Sequence, residues 1–431
     1  MCRSFWLAFG FIASFIAMTT IFSNCGSFSP PSDTSSSAAP ASQANLVSPI
    51  NTGSTGRNVL PVAVGNCGAN GYVNEPCVSV TICTPGTNQC QTIPNILLDT
   101  GSFGLRVFSS LVTISLNQEK DASGNLLAEC AQFGTGSTWG PVQTADIVLG
   151  GEPAVNAPIQ LINASFASLP KNCVSPDSNP SIAGYNGILG VGLLRYDCGD
   201  ACVTTVSNNI YFSCSSAAGA AAGSPATACA NVAAPLSQQV SNPVPLLPVD
   251  NNGLIISLPA VGAGGAAEVT GTLTLGIATS NNNVPPAQLK VFTADSFANF
   301  STNFLGQNES QSFIDSGSNG LFFNDASLTL CGSASSGTPS SGFFCPSSIQ
   351  NFSATQIGSN SSTQASIAFS IMNANTALNA FSASAGVFNN IGGGGLSSSF
   401  DWGLPFFLGR TIYCGIETKS SSLGSGPYWA Y

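Results

Sequence analysis

The sequence contains no histidine. Without an imidazole there can be no Ser-His-Asp hydrolase, no Cys-His peptidase and no HExxH zinc enzyme. Charge is the second scarcity: Asp, Glu, Lys and Arg make up only 6% of 431 residues, and nine basic side chains stand against nineteen acidic ones, a net charge of -10. Phosphate binding needs a basic surface, so no nucleic-acid partner is expected. The fifteen cysteines include no CxxC pair and there is no P-loop GK(S/T), so neither a metal nor a cofactor is expected. The one glycine run, "IGGGGL" (391–396), has no helix pattern behind it and reads as a flexible surface loop. Leu, Glu, Lys and Arg are scarce, which argues against an all-helical protein.

What is present points to a packed β protein. The hydrophobic fraction is 43%, which suits a folded core better than a disordered chain. Short apolar runs recur: "CVSVTIC", "NILLD", "ADIVLG", "PIQLINAS", "GLIISL", "TLTLGI", "QLKVFT", "QASIAFSI" and "FFLGRTIYCGI". Gly, Pro, Asn and Ser clusters separate them, the pattern of an all-β fold. The stretch 215–234, rich in Ala and Ser, fits a loop or a short helix. Three prolines in "SNPVPLLPVDNNG" (241–253) suggest a boundary near residue 250, with one half at 58–250 and the other at 251–431.

The first 24 residues have one Arg, an apolar stretch and then small polar residues, the layout of a secretory signal. The apolar part, Phe5 to Phe22, also approaches the roughly 17 residues that cross a bilayer, which leaves a retained anchor as the alternative. A Ser/Pro-rich linker (25–57) follows. Cys25 opens it, at the place where a bacterial lipoprotein carries its lipid, and this is the one route to the membrane expected beyond the leader. Export accounts for the cysteine content. Setting Cys2 and Cys25 aside, bridges between sequence neighbours would be 67–77, 83–90, 130–173, 198–202, 214–229 and 331–345, leaving Cys414 free. Of these, Cys83–Cys90 brackets a Pro-Gly turn between strand-like runs, and Cys331–Cys345 flanks a Gly/Ser loop.

Two stretches carry the chemistry. "NILLDTGSFGLRVF" (95–108) and "SFIDSGSNGLFF" (312–323) both read apolar-apolar-Asp-(Thr/Ser)-Gly-Ser, then Gly-Leu and a second apolar strand. Either alone could be a turn capped by its Asp. Two copies in one chain suggest a duplicated half and a pair of carboxyls, Asp99 and Asp315. Gly101 and Gly317 allow a tight backbone turn near each acid, and Ser102 and Ser318 are placed to donate to the outer carboxylate oxygens.

The ordered set around these copies resembles a pepsin-like aspartic peptidase. "AQFGTGSTWG" (131–140) resembles that family's flap and "YNGILGVGLL" (185–194) its support for the first catalytic loop. "GTLTLGI" resembles the hairpin between lobes and "DWGLPFFLGRTIYCGIE" the closing strands, in family order from about residue 60 to 420. With its "GPYWAY" end, the pattern is similar to an uncharacterised group of exported bacterial proteins with a pepsin-like core. The resemblance implies two β-barrel-like lobes around a cleft and an exported, monomeric endopeptidase acting on a peptide or protein substrate. Asp99 and Asp315 would be catalytic, and Thr100 and Ser316 would hydrogen-bond across the interface. Phe133, Gly134 and Thr135 would form the flap. Phe133 stands in place of the flap tyrosine, and Arg106 in place of the tryptophan that accepts its hydroxyl. Trp139 could then provide an aromatic lid or pack into the lobe. Asp401 interrupts the apolar pair expected before Gly403, and no basic prosegment is recognisable in 26–57. Two other readings remain: a non-catalytic surface protein of the same fold that binds protein or carbohydrate, and a glycoside hydrolase with two carboxylates.

Overall fold

The apolar runs fold as the alternation requires, and nearly every element is a strand. The computed structural model describes residues 57–431 other than 66, 68–71, 135, 216–227, 333–339 and 381–385. The leader, the linker up to residue 56 (Cys25 included) and Thr135 therefore lie outside the described residues. "QASIAFSI" is the strand Gln364–Ile371, "GLIIS" is Gly253–Ser257, and "CVSVTIC" lies within Glu75–Cys83. No helix among the described residues is long and apolar enough to cross a membrane.

Among these residues there is one sheet of sixteen strands and another of seven. The larger joins the two halves of the chain: Val59–Gly65 runs antiparallel to Val269–Leu275, with Leu60 opposite Leu273. Its core is aliphatic, with Val62, Ile82, Ile96, Leu98, Leu105 and Leu189 fully buried. Each such side chain contributes about 1.5–3 kcal/mol relative to exposure. The smaller sheet is packed with aromatic rings. Phe323 stacks on Phe400 at 4.9 Å, and Phe400 on Trp402 at 4.2 Å.

One local unit occurs twice. The strand Cys90–Asp99 runs parallel to Gly187–Val191, which lies antiparallel to Phe103–Phe108. In the second half, Gln307–Ile314 runs parallel to Asp401–Trp402, which lies antiparallel to Leu321–Phe322. Registers match as well: Leu97 faces Ile188 as Phe313 faces Asp401. In each unit a strand ends in the Asp loop and returns across a crossing strand, so the loop's base is clamped on both sides.

Three expectations change. "IGGGGL" is not a surface loop at its start: Ile391, Gly392 and Gly393 are buried, and Gly392–Gly393 pairs with Leu321–Phe322. A Cβ on Gly392 would meet the Leu321 carbonyl at 2.3 Å, so the glycines serve close strand contact rather than flexibility. The "FF" of "FFLGRTIYCGI" ends a short helix, Leu404–Phe407, before the strand Thr411–Gly415, because Pro405 suits a first helical turn. At the end of the Ala/Ser-rich stretch, Ala228–Asn231 is a strand paired with Tyr211–Ser215 rather than loop or helix, where the Cys214–Cys229 bridge ties the two strands together.

All six neighbour bridges are present, Cys67–Cys77, Cys83–Cys90, Cys130–Cys173, Cys198–Cys202, Cys214–Cys229 and Cys331–Cys345, and Cys414 is a buried free thiol. Such a set persists in an oxidising compartment and so fits an exported protein. Loop-closure entropy ranks them. Paired Cys→Ser changes at 130 and 173, which close a 43-residue separation, should cost about 4 kcal/mol in urea unfolding, against about 2 kcal/mol at 198 and 202. Burial pushes the Cys414 thiol well above its ordinary pKa, so a thiol reagent should label it only after denaturation. Rapid native labelling of Cys414 would contradict the packing.

Candidate active site

The two Asp loops meet, and each is built from the other's atoms. Thr100 Oγ1 donates to the Ile314 carbonyl at 3.0 Å and accepts from Ser316 N at 2.9 Å. Reciprocally, Ser316 Oγ donates to the Leu98 carbonyl at 2.7 Å and accepts from Thr100 N at 3.1 Å. Thr100 and Ser316 are both buried, so losing any of these bonds would strand polar groups away from water.

This clamp presses each glycine against the opposite acid. A Cβ on Gly101 would lie 2.5 Å from Asp315 Cγ, and one on Gly317 would lie 2.8 Å from Asp99 Oδ1. Only glycine fits at either place. Each carboxylate is also held from its own loop. Asp99 accepts from Gly101 N at 2.7 Å and from Ser102 Oγ at 2.5 Å. Asp315 accepts from Gly317 N at 2.7 Å and from Ser318 Oγ at 2.9 Å. The enclosed setting pushes the Asp315 carboxyl well above the usual carboxylate range. Loss of hydration is the main cause, followed by the charges of Asp99 and Asp401 and a hydrogen bond with Asp99. Like charges this close oppose one another's ionisation, which is why the Asp99 charge raises Asp315.

A cavity of about 490 Å³ opens beside the first loop, bordered by Thr100, Gly101 and Phe103 and faced by Phe297 and Phe313. Of the first loop it touches Thr100, Gly101 and Phe103, and neither Asp99 nor Asp315 lines it.

The flap stretch is a tight hairpin between the strands Leu126–Gln132 and Ser137–Leu149, closed by Phe133 N donating to the Gly136 carbonyl at 2.8 Å. Gly134 is described; Thr135 is not. Arg106 and Phe133 meet, with the guanidinium carbon 5.7 Å from the ring centroid, a cation–π contact in place of the hydroxyl bond that Phe133 cannot make. Trp139 is not a lid. It is fully buried, edge-on to Phe212 at 5.6 Å and grouped with Cys130 and Cys173. Its position in the strand, opposite Cys130, turns the ring into that satellite core.

Several groups around Arg106 and the carboxyl pair were not singled out in the sequence. Arg106 pairs with the buried Glu129 and with Asp197 at 3.4 Å, and Tyr211 donates to Asp197 at 2.7 Å. Burial opposes the Arg106 charge, but Glu129 and Asp197 outweigh it and hold its pKa above the ordinary value. Asp197 is pushed well up by burial and then by Glu129, so one arginine is shared by two acids. Tyr72 and Tyr185 approach the pair from other loops. Tyr72 is raised by burial and then by Glu75, Asp99 and Asp315, and Tyr185 donates to Asp177 at 2.6 Å. The Tyr72 segment is pinned by Asn74, which donates to the Asn319 carbonyl of the second loop at 2.7 Å. The available signal was a Glu set among strand residues in "YVNEPC".

A family model described as "Protein of unknown function (DUF3443)" matches residues 54–431. No curated protein matches the chain.

Two measurements probe this polar scaffold. Arg106→Met should lose about 3–5 kcal/mol in denaturant unfolding, since it leaves Glu129 buried without its partner; a loss under about 1 kcal/mol would mean the pair is not closed. Glu75 is fully buried, and desolvation raises its pKa to about 8 from 4.5 despite bonds from Tyr72 and Cys67. The folded state therefore binds the extra proton between these values, and stability from this group is complete below about 4.5 and falls as pH rises toward 8. Glu75→Gln should flatten that decline in melting temperature. An unchanged slope would show that Glu75 ionises freely.

Proposed function

We propose that this chain, which belongs to the DUF3443 family, is an exported aspartic-type endopeptidase with a bilobal, pepsin-like architecture. The observation that carries the reading is the reciprocal Thr100–Ser316 clamp, with Asp99 and Asp315 each set against the other loop's glycine. Hydrolysis then needs only the pair and a water. The carboxylate of Asp99 takes a proton from the water, whose oxygen attacks the peptide carbonyl carbon, while Asp315 gives its proton to the carbonyl oxygen. Transfer of a proton to the amide nitrogen breaks the C–N bond and releases an acid and an amine. Asp315 is assigned the acid role because its surroundings favour the protonated form.

A binding-only protein of the same architecture is the second reading, favoured by the flap's missing hydroxyl at Phe133. One assay separates them. The purified protein, incubated with an unfolded protein substrate, should cleave with a bell-shaped pH dependence and an acidic optimum, since one acid must be neutral and one ionised. Asp99→Asn and Asp315→Asn should each abolish cleavage, and the double variant should lose little more, because the members act as a unit. A statine-type peptide should bind the wild type tightly and the variants weakly. Wild type and variants equally inert across pH, while still folded, would leave the binding role.

A further inference from the structure

The repeated unit is not symmetric at one position. In the first copy the crossing strand places Ile188 opposite Leu97 and Arg106; in the second it places Asp401 opposite Phe313 and Phe322. An ionisable group thus occupies a site where the other half has a hydrocarbon. Asp401 is 5% exposed, and its Oδ1 has no hydrogen-bond partner among the described residues. An ionised carboxylate in that state would be costly, whereas a neutral acid is tolerable.

The strand that carries it is locked to the second Asp loop. Asp315 N donates to the Trp402 carbonyl at 3.1 Å and Leu404 N to the Ser318 carbonyl at 2.7 Å, and a Cβ on Gly403 would meet the Gly320 carbonyl at 2.0 Å. Asp401 therefore cannot drift from the loop. Asp401's partners in register, Phe313 and Phe322, do not titrate; the ionisable groups that act on it are Asp315 from the second loop and Asp99 from the first. Ser318 stands between: its hydroxyl donates to Asp315 Oδ2 and also faces Asp401.

We propose that Asp401 is a positioning residue and the third member of the acid group, whose ionisation withdraws the Ser318 hydroxyl from Asp315 and so keeps the shared proton there, extending the working range of the pair toward neutral pH. The inference deepens the peptidase reading and rests on it for its catalytic meaning. A serine hydroxyl has a single proton. While Asp401 is neutral, Ser318 gives its proton to Asp315. Once Asp401 ionises it claims the same hydroxyl and adds a negative charge, so Asp315 loses a donor and gains a repulsion. Ionising both is disfavoured, and the set releases its protons in coupled steps. Desolvation, with the Asp99 charge adding, holds Asp401 well above the ordinary carboxylate range, and the Ser318 bond works the other way.

The test combines the pH profile of cleavage with carboxyl-carbon NMR titration of Asp315 in protein labelled at aspartate, for wild type, Asp401→Asn and Asp401→Ile. Asn keeps the shape and removes the charge; Ile copies the first half's Ile188. Both should move the alkaline limb of the cleavage profile, and the Asp315 titration with it, to lower pH by about one unit or more. A working enzyme whose limb and titration stay in place in Asp401→Asn overturns the inference and leaves the peptidase reading intact. A wild type inert at every pH removes the peptidase reading, yet the Asp315 titration still decides: a shift supports the proton-sharing group, and none refutes it.

Discussion

Two carboxyls confined to one enclosed place is the constraint from which the rest of this structure follows. Neither Asp99 nor Asp315 could be held there by packing alone, since each ionised oxygen needs a donor and each neutral one an acceptor. The donors come from the loops themselves, through Gly101 N, Ser102, Gly317 N and Ser318. Those loops keep their shape only because Thr100 and Ser316 bond across to the opposite strand. A break in the clamp would leave both buried hydroxyls and both carboxyls short of partners at once. That shared dependence explains why the polar residues of the two loops come as matched pairs.

The supports beneath the loops are made from different materials in the two halves. The first rests on aliphatic side chains such as Ile96, Leu98 and Leu189, the second on a stack of rings from Phe323 through Phe400 to Trp402. Trp402 also donates to Thr302 at 3.0 Å, satisfying its buried indole. Rings fill space with few rotamers to freeze, which suits a sheet of seven strands with less aliphatic core to draw on. Around the aliphatic half, the ion group of Arg106, Glu129 and Asp197 is a specific rather than an inexpensive device. Removing charges from water costs energy that the pairing only offsets, and its return is a fixed orientation for the guanidinium under the Phe133 ring.

Acid groups are spread around the pair in a graded way. Asp401 lies behind Asp315, Tyr72 and Tyr185 approach from other loops, and Glu75 sits buried at the start of the strand Glu75–Cys83. In each the neutral form is favoured, with burial as the largest cause. A chain with 6% charged residues thus concentrates several of its few acids in places that resist ionisation. Such clustering of shifted groups is characteristic of functional sites.

The sequence by itself determined the strands, the paired loops and the bridges, because these depend on neighbours along the chain. Alternation marked Glu75–Cys83 and Gln364–Ile371, the Asp-(Thr/Ser)-Gly-Ser repeat marked the carboxyls, and cysteines close in sequence paired with each other. Contacts distant in sequence were decided only by the tertiary structure. Glu129 meets Arg106 across 23 positions and Asn74 meets Asn319 across 245, and no local pattern records either. The glycine run at 391 reads as a loop until the Leu321 carbonyl lies against it, and Trp139 reads equally as a lid or as packing until its strand turns it toward Cys130 and Phe212. Asp401 was visible as an interruption in an apolar run, but only the crossing strand's register, opposite Phe313 and Phe322, brought its charge to bear on Asp315. Local order follows from steric and hydrophobic periodicity, whereas the environment of a charge depends on which distant backbone closes over it.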